Sequence, residues 1–181
     1  MKNLLILVMM IVTFSACTAT RDVTASRQDQ KRTSKLERQL SIRKAVESRQ
    51  YIIKLDRIYL SQGGFADLIS SNNFLIVNGE IASVSLGYVG RSYFSRPISG
   101  INFNGQTVNY SMTNNETRGT YKIYLKVKKD NDVFDFYIDV GTGGSCRLSV
   151  INPRIQSVSY SGNIVPMPEA PKQVSERPVI F

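Results

Sequence analysis

The chain has 181 residues, with 23 lysines and arginines against 14 aspartates and glutamates, a formal net charge of +9, two cysteines and no histidine. Without histidine, Ser-His-Asp and Cys-His nucleophilic catalysis, His-ligated zinc and the helical zinc-protease motif are excluded, and two cysteines are too few for a thiolate zinc or iron–sulfur site. The length suits one globular domain, and the charge suits an anionic partner.

In chain order, Met1-Lys2-Asn3 leads an apolar run from Leu4 to Phe14 that ends at Ser15-Ala16-Cys17. A basic start, a greasy stretch and small residues before a cut form the layout of a secretory signal over residues 1–16. The run is far short of the roughly 20 residues that span a bilayer. Ser15-Ala16-Cys17 resembles the lipobox of bacterial lipoproteins, in which the peptide is cut just before a diacylated cysteine, so Cys17 is the expected lipid attachment; an ordinary signal with a chance cysteine is the alternative. The resemblance implies a lipid-anchored protein of the bacterial cell envelope. Thr18-Ala19-Thr20-Arg21-Asp22 lacks an acidic run resembling a surface-export signal, which points to the outer membrane facing the periplasm. An exported, tethered chain does not meet nucleic acid, so the expected partners are the membrane, through the anchor, and anionic headgroups, a glycan or an envelope protein.

Residues 17–26 are small and polar and read as a tether. Residues 27–50 contain no glycine or proline and are rich in lysine and arginine, which predicts a basic helix. Leu36, Leu40, Ile42 and Val46 fall within an arc of roughly 160° at helical spacing, a stripe that docks or caps something. The basic face is either a solvated surface or one that leans on anionic headgroups.

From Tyr51 to Ile164 the period becomes two. Tyr51, Ile53, Leu55 and Tyr59 open the first strand. Asn78-Gly79 predicts a type I′ hairpin, and Asn104-Gly105 predicts another between Ile101/Phe103 and Val108/Tyr110/Met112. Tyr121, Ile123, Leu125 and Val127 alternate with Lys122, Tyr124 and Lys126. A polar turn at Lys129-Asp130-Asn131-Asp132 leads into Phe134, Phe136, Ile138 and Val140, and Gly141-Thr142-Gly143-Gly144 closes that strand. Cys146, Leu148 and Val150 then share an apolar face, so Cys146 reads as a buried, inert thiol. A last strand is expected around Ile155 to Tyr160. Residues 165–181, with Pro166, Pro168 and Pro171, are expected to leave the ladder as an extended tail.

Short strands joined by tight turns, each with one apolar face, make a mainly β protein: an antiparallel meander forming a small barrel or curled sheet with an N-terminal α-helix, or alternatively a two-sheet sandwich. Nothing in the chain forms a metal or cofactor motif. Asp130 and Asp132 lack the glycine and terminal glutamate of a calcium loop. Asp135 and Asp139 share a strand face but lie roughly 13 Å apart, too far for paired acid and nucleophile work. The connection from Leu86 to Phe94 puts Tyr88, Arg91, Tyr93, Phe94 and two glycines between strands, a composition suited to glycan or protein recognition or to packing over a barrel mouth.

The segments Phe74-Leu75-Ile76-Val77-Asn78-Gly79-Glu80, Leu86-Gly87-Tyr88-Val89-Gly90, Gly100-Ile101-Asn102-Phe103 and Ser159-Tyr160-Ser161-Gly162 together resemble the DUF4251 family of exported proteins from Bacteroides-type bacteria, over about residues 45 to 165. The resemblance implies a lipocalin-like β-barrel and carries no catalytic residues. The expected function is therefore a non-enzymatic binding module using the barrel mouth and the 86–94 loop. The alternatives are a structural or assembly lipoprotein docking a protein partner, and a histidine-free carboxylate enzyme.

Overall fold

The computed structural model describes residues 19–60, 63–69, 72–91, 99–115 and 117–168, with side chains from residue 29. The chain divides into two units, Met1–Arg38 and Gln39–Phe181. In the first, the described residues are helical, and positions 29–38 are exposed throughout. Among the described residues no helix is long and apolar enough to cross a membrane.

Helix α1 runs from Ala19 to Glu47, so it starts inside the stretch expected to be a tether and stops before the expected boundary at 50. Its stop has a local cause. Arg49 adopts a left-handed conformation (φ 56°) and donates its amide to the Val46 carbonyl at 3.2 Å, which closes the helix as a C′ residue normally does. Such a φ is costly for arginine. The guanidinium lies 4.7 Å over the Tyr110 ring, and the Tyr110 hydroxyl donates to the same Val46 carbonyl at 3.0 Å.

Among the described residues nine strands follow: β1 (Gln50–Tyr59), β2 (Phe65–Asp67), β3 (Phe74–Asn78), β4 (Ile81–Gly87), β5 (Gly100–Asn115), β6 (Thr120–Lys129), β7 (Asp132–Val140), β8 (Ser145–Asn152) and β9 (Ile155–Pro166). All pairings are antiparallel. β3 to β9 pair in succession, and β1 pairs with both β3 and β9, which closes an eight-stranded barrel. The short β2 extends the β3 edge along the far end of β1. β9 continues through Pro166, opposite Tyr51, two residues further than the prolines suggested. Proline is tolerated there because its missing donor falls at the strand terminus, while Met167 donates its amide to the Gln50 carbonyl at 3.3 Å.

The two Asn-Gly pairs have different fates. Asn78 and Ile81 are paired, so Gly79-Glu80 forms the two-residue loop, and only Gly79 has positive φ (62°). That is the type II′ pattern and not the expected I′. Asn104-Gly105 is no turn at all and lies within the 16-residue β5. A Cβ on Gly105 would stand 2.6 Å from Val127 Cγ1 and 2.7 Å from the Lys128 carbonyl. The glycine permits a close strand approach beside the bulge between Thr107 and Asn109. Gly162 does the same at the seam, where a Cβ would strike the Lys54 carbonyl and lie 2.8 Å from Leu55 Cα, next to the bulge between Leu55 and Arg57.

Period-two alternation sends one apolar row of each strand inward. Tyr51, Ile53, Leu125, Phe136, Leu148 and Tyr160 are fully buried, and Ile42, Ala45 and Val46 of α1 join the same core. The last turns of the helix thus plug the barrel end at which β1 begins.

Candidate functional site

At the end opposite the helix plug, Tyr88 closes the mouth. Its ring is 5% exposed, and its hydroxyl is shared between the Arg91 carbonyl at 2.6 Å and the Gln156 carbonyl at 3.2 Å. Gln156 donates its amide to the Arg91 carbonyl at 2.9 Å, and the Tyr160 hydroxyl donates to the Gly87 carbonyl at 2.9 Å. A Cβ on Gly90 would lie 2.6 Å from the Tyr88 hydroxyl, so glycine lets the loop fold flat over the ring. Tyr88 therefore packs and pins the loop to β9. The Arg91 side chain is exposed. Tyr93, Phe94 and Cys17 lie outside the described residues.

Inside the barrel the large side chains Tyr51, Phe136 and Tyr160 are fully buried. Burial drives the Tyr51 and Tyr160 phenols above their ordinary range, with Tyr110 and Tyr88, respectively, adding to the effect. The Tyr51 hydroxyl is buried beside the Tyr110 phenol and meets no full hydrogen-bond geometry among the described residues. Cys146 sits on the inner face, and burial, reinforced by Asp56, pushes its thiol up to about 12. A thiol so far from ionising is a poor nucleophile. Two buried polar residues were not anticipated from sequence. Asn73 accepts the Gly87 amide at 2.7 Å. Asn152 donates to the Val133 carbonyl and accepts from the Arg154 amide, each at 2.8 Å. Both fix connections and neither presents chemistry to solvent. The Asn-Pro turn signal hinted at Asn152, whereas nothing around Asn73 marked it.

Two surface features remain. A cleft of about 330 Å³ opens where α1 meets the barrel rim, lined by Leu40, Ile42, Arg43, Asn114, Tyr121 and Thr142. Arg43 is engaged there by Glu47 at 2.9 Å. The second feature is the outer face of β1, β9, β8, β7 and β6, where strand register lines residues up in rows. Arg57, Ser161, Arg147, Asp139 and Lys122 are successive cross-strand partners. The neighbouring row runs Tyr59, Ser159, Ser149, Tyr137 and Tyr124. A shallow groove of about 450 Å³ follows part of the first row past Lys122, Asp139, Arg147 and Ser161.

The charges on this face are only partly neutralised. Arg57 binds Asp67 at 2.8 Å and covers the Phe65 ring at 4.2 Å. Asp135 is held by the Tyr124 hydroxyl at 2.7 Å and by Lys126 at 3.6 Å. Its hydrogen bond raises the Tyr124 phenol, and that phenol together with Asp135 raises the Lys126 ammonium. Asp135 and Asp139 thus stand on the outer wall in separate rows, with no shared cleft between them. Among the described residues no ion pair within 4.0 Å joins Asp139 to Lys122 or Arg147. Arg147 lies instead 4.8 Å over the Tyr59 ring.

Comparisons with known proteins follow the fold. A family model described as a domain of unknown function, DUF4251, matches residues 33–164. The crystal structure of a DUF4251 family protein from Bacteroides eggerthii DSM 20697 superposes with a TM-score of 0.58 at 15% identity, covering 71% of this chain and 87% of that one. At that identity the likeness speaks for the barrel alone. Curated proteins give no match.

Proposed function

The chain belongs to the DUF4251 family, and from that premise we propose that it is a lipid-anchored, non-enzymatic protein of the bacterial cell envelope that works through its outer surface. In this reading Cys17 carries the anchor, at the outer membrane and facing the periplasm, and the barrel is a solid body that docks an envelope component. The observation that carries the reading is the filled interior: Tyr51, Phe136 and Tyr160 are fully buried at the core, α1 plugs one end and Tyr88 closes the other. A carrier of small molecules needs a cavity of roughly 300 Å³ or more, largely enclosed and with convergent polar groups. The binding surface is then the wall, and the basic residues of α1 beside the anchor suit anionic headgroups.

A second reading places binding on the 86–94 loop at the mouth. The exposed Arg91 side chain favours it, with Tyr93 and Phe94 as its aromatic neighbours in sequence. Two measurements test the proposal. Cys17→Ser should move the protein from the membrane fraction to the soluble fraction of its own bacterium. Native mass spectrometry of the full chain released from micelles should give the bare lipidated mass. A small molecule that leaves on denaturation would overturn the solid-barrel reading, and an unchanged membrane fraction for Cys17→Ser would overturn the anchor.

A further inference from the structure

We infer that the outer face of β1, β9, β8, β7 and β6 binds an acidic polysaccharide chain laid across the strands, in the groove along Arg147, Asp139 and Lys122 and against the tyrosines beside it. The inference rests on the reading above only in taking the wall of the barrel as the working surface.

Three kinds of group converge there in the proportions such a ligand requires. Sugar rings present flat C–H faces, and Tyr124 and Tyr137 supply rings 5.1 Å apart on rigid strands, with Tyr137 47% exposed. Uronate carboxylates need cations, and Arg147 and Lys122 flank the groove without an ion pair to Asp139. Sugar hydroxyls need acceptors and small donors, which Asp139 and Ser161 provide beside a Ser149–Ser159 pair bonded to each other at 2.8 Å. With neighbouring strands about 4.8 Å apart, the row from Arg57 to Lys122 extends roughly 19 Å, enough for several linked rings. The Tyr59 phenol is held below its ordinary range by its hydrogen bond to Ser161, 3.5 Å away, and by Arg147.

Other occupants fit less well. A protein interface buries an apolar centre depleted of charge, whereas the middle of this row is Ser161, Arg147 and Asp139. An anionic bilayer offers no repeating hydroxyl-bearing ring for the tyrosines, and no extended chain to follow a row that runs across five strands.

The test is surface plasmon resonance of the full chain carrying Cys17→Ser, in a non-ionic detergent, over immobilised polygalacturonate with immobilised dextran as the neutral comparison. Binding to polygalacturonate and not to dextran is expected. Arg147→Ser and Tyr137→Ala should each weaken binding about tenfold, while Lys44→Ser, which removes the same charge from α1, should change it less than about twofold. Lys122→Glu serves as a further variant, since its exposed side chain leaves the fold intact, and it should abolish binding. Absence of binding, or equal losses for Lys44→Ser and Arg147→Ser, overturns the inference. Displacement by phosphatidylglycerol in mixed micelles but not by galacturonate oligomers overturns it in favour of a lipid surface. Each of these failures leaves the solid barrel standing, because that reading falls only to a bound small molecule in the native mass spectrum.

Discussion

Replacing Tyr88 separates a packing residue from a binding residue, because the first role predicts a large loss of stability and the second almost none. Its ring is 5% exposed, so truncation to alanine returns on the order of 200 Å² of buried surface to solvent, worth about 5 kcal/mol at about 25 cal/mol per Å². An extended unfolded chain overstates that area, and aromatic truncations in cores cost about 3–5 kcal/mol, so about 4 kcal/mol is the working figure for Tyr88→Ala. Tyr88→Phe keeps the ring and removes only the hydroxyl. The Arg91 carbonyl retains the Gln156 amide at 2.9 Å, so the loss is one shared hydrogen bond, about 1 kcal/mol. For a body of this size each kcal/mol moves the melting temperature by about 4 °C. Thermal unfolding followed by far-ultraviolet circular dichroism should therefore show a drop of about 15 °C for Tyr88→Ala and about 4 °C for Tyr88→Phe. A Tyr88→Ala protein melting within about 3 °C of the parent would refute the claim that this ring closes the barrel, and so would a Phe variant as damaged as the Ala one.

Glycine substitutions should rank by the space around each position. Gly162→Ala drives a methyl into the Lys54 backbone and should prevent folding, Gly105→Ala should cost about 1–3 kcal/mol, and Gly143→Ala, with nothing within 4 Å, should stay within about 0.5 kcal/mol, all read as urea midpoints. The Cys146 thiol should resist a disulfide exchange reagent at pH 8 in the native protein and react fully in guanidinium; rapid native reaction would contradict its burial. Because its folded-state pKa of about 12 lies above the ordinary thiol value, its contribution to stability is complete below pH 8 and is lost as pH rises toward 12. The melting temperature should fall over that window, and less steeply in Cys146→Ala. Val46→Asp, at a site with 0% exposure, should unfold the barrel if the end of α1 is part of its core, and a melting temperature near that of the parent would show that it is not.

The barrel was legible because its cause is local and repetitive. Tyr121 to Val127 and Phe134 to Val140 alternate strictly, and such a pattern can only pair with one face inward. Closure was not legible in the same way, since it depends on β1 meeting β9 across more than a hundred residues, at a bulge and a glycine that look ordinary in sequence. Gly105 makes the point most sharply. Asn-Gly is a strong turn signal when read alone, yet β6 lies so close to Gly105 that any side chain there must displace Val127 and the Lys128 backbone, and the strand runs straight through. The end of α1 falls three residues before the expected boundary because residues 48–50 are acceptable helix formers by composition, and what closes the helix is the left-handed Arg49, whose amide bonds back to Val46 and whose guanidinium rests on the Tyr110 ring.

The aromatic loop was legible as composition but not as geometry. Tyr88 offered both a ring for recognition and a plug for a mouth, and the deciding facts are non-local: Gln156 and Arg91 supply carbonyls to one hydroxyl, and Gly90 leaves room above it. The outer face shows the reverse relation. Arg57, Lys122, Asp139, Arg147 and Ser161 are scattered over five strands, and each alone is an ordinary polar residue on a solvent-facing position. Only the register turns them into a row, and only a filled barrel makes that row matter. Tyr160 and Phe136 are fully buried on the inner face, and the residues that alternate with them stand on the wall, where the core does not constrain their polarity. The same alternation that buries one residue of each pair sets its neighbour at a fixed spacing on the outside, and an extended ligand with a repeating charge and ring pattern can be read across those strands as a protein edge would be read along one.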